Sequence, residues 1–266
     1  MSETAPTGGL YGKAPAFGDF VVRRLPQTFV RPWDDWLSRS LAMSRQQIGE
    51  GWTHAYLSSP PWRFALDPGL AGATGWLGVF ASSIDQVRRC YPVTVAIALP
   101  ARTRLCDLTG DLDPVAAALE ATALHVIAGE ATPDEAANAV EATARRLAPS
   151  LVGGARLAHV SRARAQLGAR YASVASLAAE LAADGEEARR TGPPMSAWWH
   201  DRWGGAPAAN LVCVGLPAAE IFASLLDAAW LERGWTEGPA RSRAVRLDRA
   251  LAILGGDAAK PPPSGQ

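Results

Sequence analysis

The chain has 266 residues, 48% of them hydrophobic, which is enough to bury the core of one or two domains. Its 26 basic and 26 acidic residues balance, which argues against attraction to nucleic acid or to an anionic membrane surface. The three cysteines are too few and too widely spaced for a disulfide framework or a zinc site, and we expect no secretory signal and no membrane span. The composition therefore predicts a reduced cytoplasmic protein.

The N-terminal end predicts one strand and two helices. Residues 10–13 have the pattern of a short strand, and a loop rich in glycine and proline follows at 14–18. Hydrophobic residues then recur at helical spacing from 29 to 48, with Pro32 in the first turn and a glycine at the end. A second, shorter helix is expected at 52–57.

A β-hairpin and a buried strand are predicted next. Residues 62–66 alternate with period two, as a half-buried strand does, and Asp67-Pro68-Gly69 is a turn signal. Residues 76–80 have the pattern of the returning strand, after a long glycine-rich loop. The β-branched, apolar residues 93–99 lie between two prolines and predict a central strand covered on both faces.

Helices are expected in the middle of the chain. Asp113 begins one helix that ends at Gly129, while Thr132 and Glu135 form a capping box for another that runs to about 147. Residues 150–170 are ambiguous. The remaining predicted elements are a helix at 171–189, strands at 197–199 and 211–214, a helix that begins at Pro217, and a last helix at 241–254.

Strands cluster early and late with helices between them, which favours an α/β (α+β) fold. We predict a single three-layer domain over 9–254, in which helices flank a central, mixed but largely antiparallel sheet. Residues 1–8 are expected to be a flexible N-terminus. Residues 255–266 are expected to be a disordered tail, because they are rich in glycine and proline and nearly free of apolar side chains.

Lys13 stands out because the only other lysine, Lys260, lies in that tail. Gly12-Lys13 does not complete a phosphate-binding P-loop, since the glycine spacing is one residue short and Ala14 replaces the required serine or threonine. Any solvated cation could occupy the position equally well.

No catalytic constellation is evident from the residue types and their spacing. The four histidines lack the spacing of metal ligands, and Ser196, His200 and Asp201 cannot be assumed to form a relay from sequence proximity alone. Asp34 and Asp35 lie near a predicted helix start, where interaction with the helix dipole is the better account.

Two alternatives to a binding protein stay open. The first is a hydrolase-like enzyme that uses Lys13, Asp19 and Arg63 in a cleft beside the Gly/Pro loop. The second is an anion- or ligand-sensing module whose glycine-rich loop at 69–78 closes on its ligand, although a flexible hairpin loop explains those glycines as well.

A dense series of short segments runs through the N-terminal part of the chain: GLYGKAP at 9–15, GDF at 18–20, RRLP at 23–26, FVRPWDDWL at 29–37, AYLSSP at 55–60 and WRFAL at 62–66. Later segments are SSIDQVRR at 82–89, YPVT at 91–94, SAWW at 196–199 and GLP at 215–217. Together, and in this order, they resemble the TagF/ImpM family of type VI secretion-associated proteins. The resemblance is closest over 9–149.

The resemblance implies a cytoplasmic accessory protein of the type VI secretion system. It implies a post-translational repressor of secretion that is associated with the threonine-phosphorylation pathway and binds the forkhead-associated scaffold protein. Family members are not known as enzymes, so no cofactor or metal is expected. His200 departs from the family pattern, which has a threonine at this position, directly after the tryptophan pair.

Six residues are candidates for interaction with a partner. We predict that Lys13 and Asp19, near the two ends of the Gly/Pro loop, either pair with each other or face the partner. On a strand, Trp198 and Trp199 point to opposite faces, so one packs in the core and the other covers an edge or meets a partner. The candidates are Lys13, Asp19, Arg23, Arg24, Arg63 and Trp199.

Overall fold

The computed structural model describes residues 8–108, 112–151 and 192–235. Its strands are β1 (Gly8–Lys13), β2 (Phe20–Arg23), β3 (Trp62–Leu66), β4 (Trp76–Ala81), β5 (Val93–Ala98), β6 (Met195–His200) and β7 (Ala209–Val214). They form one sheet of order β2-β1-β5-β4-β3-β6-β7. Every pairing among these seven described strands is antiparallel, so over them the sheet is not mixed as predicted.

Helices cover both faces of the sheet, which confirms the α/β (α+β) three-layer prediction. One face carries α1 (Gln27–Ile48), α2 (Trp52–Ser58), α5 (Ala219–Phe222) and α6 (Ser224–Asp227). The other carries α3 (Asp113–Ala128) and α4 (Pro133–Leu151).

Local signals in the sequence account for the end of α3 and the start of α4. The predicted capping box of α4 forms, because Thr132 and Glu135 exchange hydrogen bonds between side chain and backbone. Gly129 ends α3 in the left-handed conformation, with a φ of 75°. These two features confirm the break between the two helices.

Three predicted features differ from the structure. Helix α1 begins at Gln27, so Pro32 lies inside the helix and not in its first turn. The single helix expected from Pro217 is two short helices, α5 and α6, and Ala228 ends the second with a φ of 56°. Strand β1 begins at Gly8, which the sequence placed in the N-terminal segment. The helices predicted at 171–189 and 241–254, the tail and most of 150–170 lie outside the described residues.

The two faces of the sheet have different cores. Aromatic rings fill the α1 face, with the fully buried Trp33 at the centre, and aliphatic side chains fill the α3–α4 face. Because successive side chains on a strand alternate, Trp198 packs among the rings and Trp199 packs among the aliphatic residues. The rings around Trp33 belong to Phe29, Trp36, Phe64, Phe80 and Trp198.

A buried hydrogen bond lies at the centre of the aromatic core. Trp33 Nε1 donates to Thr94 Oγ1 at 3.0 Å, and both side chains are fully buried. Thr94→Val keeps the side-chain shape but leaves the indole N–H without this acceptor. We expect it to lower the free energy of unfolding by about 1–3 kcal/mol, measured by urea denaturation. Thr94→Ser, which keeps the hydroxyl, is the control; equal stability of the two variants would contradict the expectation.

Candidate functional site

Two loops meet at one end of the sheet, beside the paired strands β1 and β5. The first spans 14–19, after β1, and the second spans 82–92, before β5. Gln86 N donates to Phe17 O at 3.2 Å, and the Arg89 guanidinium donates to Gly18 O. We call 14–19 the first loop and 82–92 the second loop. The backbone contacts fix the two loops to each other.

A buried ion pair lies beneath these loops. Lys13 Nζ is 2.6 Å from Asp85 Oδ2, and the exposed fractions of the two side chains are 6% and 0%. Asp85 also accepts hydrogen bonds from the backbone N–H of Val87 and from both the backbone and the side chain of Arg89. Lys13 therefore pairs with Asp85 and not with Asp19, so the first of the two predicted alternatives is wrong and the second stays a prediction. Asp19 is exposed and accepts a hydrogen bond from the N–H of Phe20.

The surroundings of Asp85 keep its carboxylate ionised. Burial raises the pKa of Asp85, but hydrogen bonds from Lys13 and Arg89 outweigh burial and hold the pKa well below its ordinary value. A single carboxylate thus holds two cations in fixed positions. The sum of these three charges is +1, so the cluster stays electropositive.

Lys13 opens onto a cleft of about 770 Å³ between the second loop and the end of α1. Arg45 lies on its wall, with its guanidinium 4.2 Å from the centroid of the Trp52 ring, a cation–π distance. Burial raises the pKa of the Cys90 thiol, although Arg45 acts against that shift, so the thiol is neutral at pH 7. The lining consists of Lys13, Arg45, Gly49, Glu50, Trp52, Thr53, Arg88, Arg89 and Cys90. Four cations and one carboxylate make this a basic cleft.

An acidic residue on α1 orients the aromatic residues beside the first loop. Asp34 Oδ1 accepts hydrogen bonds from Tyr11 Oη at 2.5 Å and from Tyr91 Oη at 2.6 Å. Burial and the contact with Asp34 raise the pKa of both tyrosines. Phe20 stacks on Tyr11, with ring centroids 5.6 Å apart. The predicted interaction of Asp34 with the helix start is wrong, because the first turn of α1 contains no acidic residue.

The arginines Arg23 and Arg24 attach the end of β2 to α4. Arg23 Nε is 2.7 Å from Asp134 Oδ1, and Arg24 contacts Glu141 and Asn138. These contacts hold an edge strand against a helix. They do not place either arginine at the basic cleft.

Arg63 and Trp199 are buried on the opposite face of the sheet. Arg63 is 4% exposed, and its guanidinium lies 2.7 Å from Glu120 and 2.8 Å from Asp201. Trp199 is also 4% exposed, within the aliphatic core, so it does not offer its ring to a partner. Of the six predicted site residues, Lys13 alone lines the cleft, while Asp19 lies on the adjoining loop.

The arrangement required for the hydrolase alternative does not form. Lys13 faces α1 and α2, whereas Arg63 faces α3, so the sheet separates the two side chains.

Ser196 and His200 are four residues apart on β6, about 13 Å along a strand, which excludes a direct relay between them. Burial lowers the pKa of His200, and its Nδ1 lies 2.6 Å from Asp201 O.

Protein atoms occupy the space beside the glycines of the glycine-rich loop. A Cβ atom at Gly72 would lie 3.0 Å from Thr28 O, the carbonyl that would accept the missing N–H of Pro32 in a regular helix. A Cβ atom at Gly78 would lie 2.4 Å from the Phe64 ring. Close packing therefore explains Gly72 and Gly78 without an anion.

Among residues 8–108, 112–151 and 192–235, no group of three or more His, Cys, Asp or Glu side chains could hold a metal ion. The same part of the chain contains no helix with the length and hydropathy needed to cross a membrane.

Comparison with known proteins places the cleft within a segment that matches a known protein family. A family model described as "TagF N-terminal domain, Type VI secretion system-associated" matches residues 9–143, which include every residue of the basic cleft. The crystal structure of PA0076 from Pseudomonas aeruginosa PAO1 is 34% identical to this chain. The alignment covers 83% of this chain and 94% of that one, with a TM-score of 0.58. A comparison with curated proteins gave no match.

Proposed function

We propose a function on one premise: the chain belongs to the TagF family, whose proteins are associated with the type VI secretion system. We infer that it is a non-enzymatic, cytoplasmic accessory protein that represses secretion after translation. It does so by binding the forkhead-associated scaffold protein of that system. The observation that carries the proposal is the family match over 9–143, which spans both loops and the basic cleft.

The charge states around the cleft favour binding over catalysis. Asp85 is a poor general base, because its pKa lies far below neutral pH and both of its oxygens already accept hydrogen bonds. Cys90 is a poor nucleophile, because burial raises the pKa of its thiol. These groups are suited to holding charges in place and not to exchanging protons or forming covalent bonds.

A binding experiment and a secretion experiment test the proposal together. We expect the purified protein to bind the purified scaffold with a Kd of about 1 μM or tighter, measured by isothermal titration calorimetry. Deletion of the gene should raise the amount of secreted type VI substrates, while immunoblots show unchanged levels of the scaffold and the other components. Absence of binding together with unchanged secretion would refute the proposal.

A further inference from the structure

Two arginines, Arg45 and Arg88, contribute to the positive charge of the basic cleft, which exceeds the single negative charge of its lining residue Glu50. Among the described residues, Arg45 and Arg88 form no ion pair, whereas Lys13 and Arg89 share Asp85. Both arginines are exposed. The Arg45 guanidinium lies over the Trp52 ring, and this contact helps to hold it in place while leaving N–H groups able to donate.

The second loop holds Arg88 in a strained conformation. The φ of Arg88 is 65°, in the left-handed region that residues other than glycine rarely adopt. Two hydrogen bonds maintain it: Arg88 N donates to Asp85 O at 2.9 Å, and Arg89 N donates to Asp85 Oδ1 at 2.7 Å. Strained residues persist where the surrounding contacts enforce them, and they cluster at binding sites.

Apolar side chains lie on the loops beside these charges. Phe17 is 38% exposed, Phe20 is 42% exposed and Val87 is 63% exposed. Phe17 and Val87 belong to the two loops that the Gln86–Phe17 backbone contact joins, and Phe20 follows the first loop directly. Lys13 Nζ is 4.9 Å from the Phe20 ring centroid, so this aromatic side chain adjoins the cleft.

We propose that this mixed surface is the docking site for an acidic segment of a partner protein that also carries an apolar side chain. We call it the two-loop surface and define it by Arg45, Arg88, Phe17, Phe20 and Val87. Charge complementarity identifies the occupant: carboxylates of the segment pair with the two arginines, and its apolar side chain packs against Phe17, Phe20 and Val87. A small inorganic anion would use the charges but would leave the apolar residues without a role.

The inference rests on the proposed function only in naming the partner. If the protein binds the forkhead-associated scaffold, the two-loop surface is where the scaffold's acidic segment docks. The exposure, charges and loop geometry that carry the inference do not depend on that identity. The test therefore uses both the scaffold and a peptide probe.

Matched pairs of charge reversals test the surface. The test variant is Arg45→Glu/Arg88→Glu, and the control is Arg31→Glu/Arg102→Glu. Each pair changes one exposed arginine on α1 and one exposed arginine with a positive φ, since the φ of Arg102 is 66°. Arg31 lies 14 residues before Arg45, about 21 Å away along the helix axis, and Arg102 follows the far end of β5.

Two ligands are offered to the wild type and to both variants: the purified scaffold, and a fluorescein-labelled peptide of alternating Asp, Glu and Phe. We expect the test variant to lose about tenfold or more in affinity for both ligands, and the control variant to stay within about twofold of the wild type. Wild-type affinity should fall between about 50 and 300 mM salt, because screening weakens exposed charge pairs. Circular dichroism should show the same fold in all three proteins.

Each other result has a defined meaning. Scaffold binding that is equal in both variants overturns the docking surface and leaves the proposed function standing. Peptide binding that only the test variant loses, with no scaffold binding by the wild type, supports the surface and counts against the named partner. Thermal stabilisation by inorganic phosphate at about 1 mM without peptide binding makes the cleft a small-anion site and overturns the inference. If the wild type binds neither the scaffold nor the peptide, the docking inference is also overturned.

Discussion

Replacing Asp85 with alanine is expected to lower the Tm by about 10 °C, because the change leaves a buried ammonium group without its carboxylate. Lys13 is 5% exposed and has its Nζ 2.6 Å from Asp85. Asp85→Ala also removes the acceptor of the Val87 and Arg89 N–H groups, which hold the second loop in its turn. Differential scanning calorimetry measures the loss.

Two further variants separate the effect of an unpaired Lys13 charge from the effect of losing the Asp85 side chain. Lys13→Met should destabilise less than Asp85→Ala, because Asp85 keeps Arg89 and the two backbone donors. The double variant Lys13→Met/Asp85→Ala should be more stable than Asp85→Ala alone, since no buried charge is left unpaired. A double variant that is no more stable than Asp85→Ala would rule out the unpaired ammonium as the cause.

The effect of Asp85→Ala should depend on pH in a defined direction. The pKa of Asp85 is lowered in the folded protein, so its contribution to stability is fully present above the ordinary aspartate pKa of about 4. That contribution is lost as the pH falls toward the lowered folded-state pKa. We therefore expect the Tm difference between wild type and variant to be largest near pH 7 and to narrow below about pH 4. A constant difference across that range would contradict the ionic explanation.

Replacing Asp67 with alanine is expected to lower the free energy of unfolding by about 4 kcal/mol, measured by urea denaturation. Asp67 is 2% exposed and accepts hydrogen bonds from Leu105 N at 2.7 Å and from Met195 N at 2.9 Å. Arg104 Nη2 lies 2.7 Å from the same carboxylate. Alanine leaves two buried N–H groups without this acceptor and removes the carboxylate from a mostly buried guanidinium, which keeps its hydrogen bonds to Gly192 O and Pro193 O.

Asn is the informative comparison at position 67. Asp67→Asn keeps the side-chain shape and one carbonyl acceptor but loses the negative charge, so we expect a loss intermediate between wild type and Asp67→Ala. Met195 begins β6, outside the family-matched residues 9–143, whereas Asp67 follows β3 inside them. If Asp67→Ala proves as stable as the wild type, this carboxylate does not fasten β6 to the family-matched part of the chain.

Sequence patterns located the elements because those patterns act over short distances along the chain. The alternation in 62–66 located β3, and the β-branched run from 93 located β5. The prediction that β3 is half-buried is wrong, because helices cover both faces of the sheet and all five residues are buried. The capping box at Thr132 gave the start of α4, because both of its hydrogen bonds lie within four residues. The resemblance to the TagF family was confirmed for the same reason: its motifs are short and local.

Short-range sequence patterns could not predict which side chains pair when they are far apart along the chain. Lys13 and Asp85 are 72 residues apart, and a lysine at a strand end gives no indication of which of the acidic residues will meet it. Asp34 and Tyr91, 57 residues apart, are brought together only when α1 packs on the sheet. Asp85 lies in a segment that carried the family resemblance, yet nothing in the segment marked it as the partner of Lys13.

The sequence by itself determined the three-layer fold class, most strands and helices, and the family of this protein. Only the tertiary structure decided which face of the sheet each side chain occupies. Arg63 and Trp199 are buried in it, whereas Lys13 lines the same cleft as Arg45 and Arg88. The physical reason is that element formation depends on neighbours a few residues away, whereas a binding surface depends on distances set by the order of the strands. Here the pairing of β1 with β5 brings the first and second loops together.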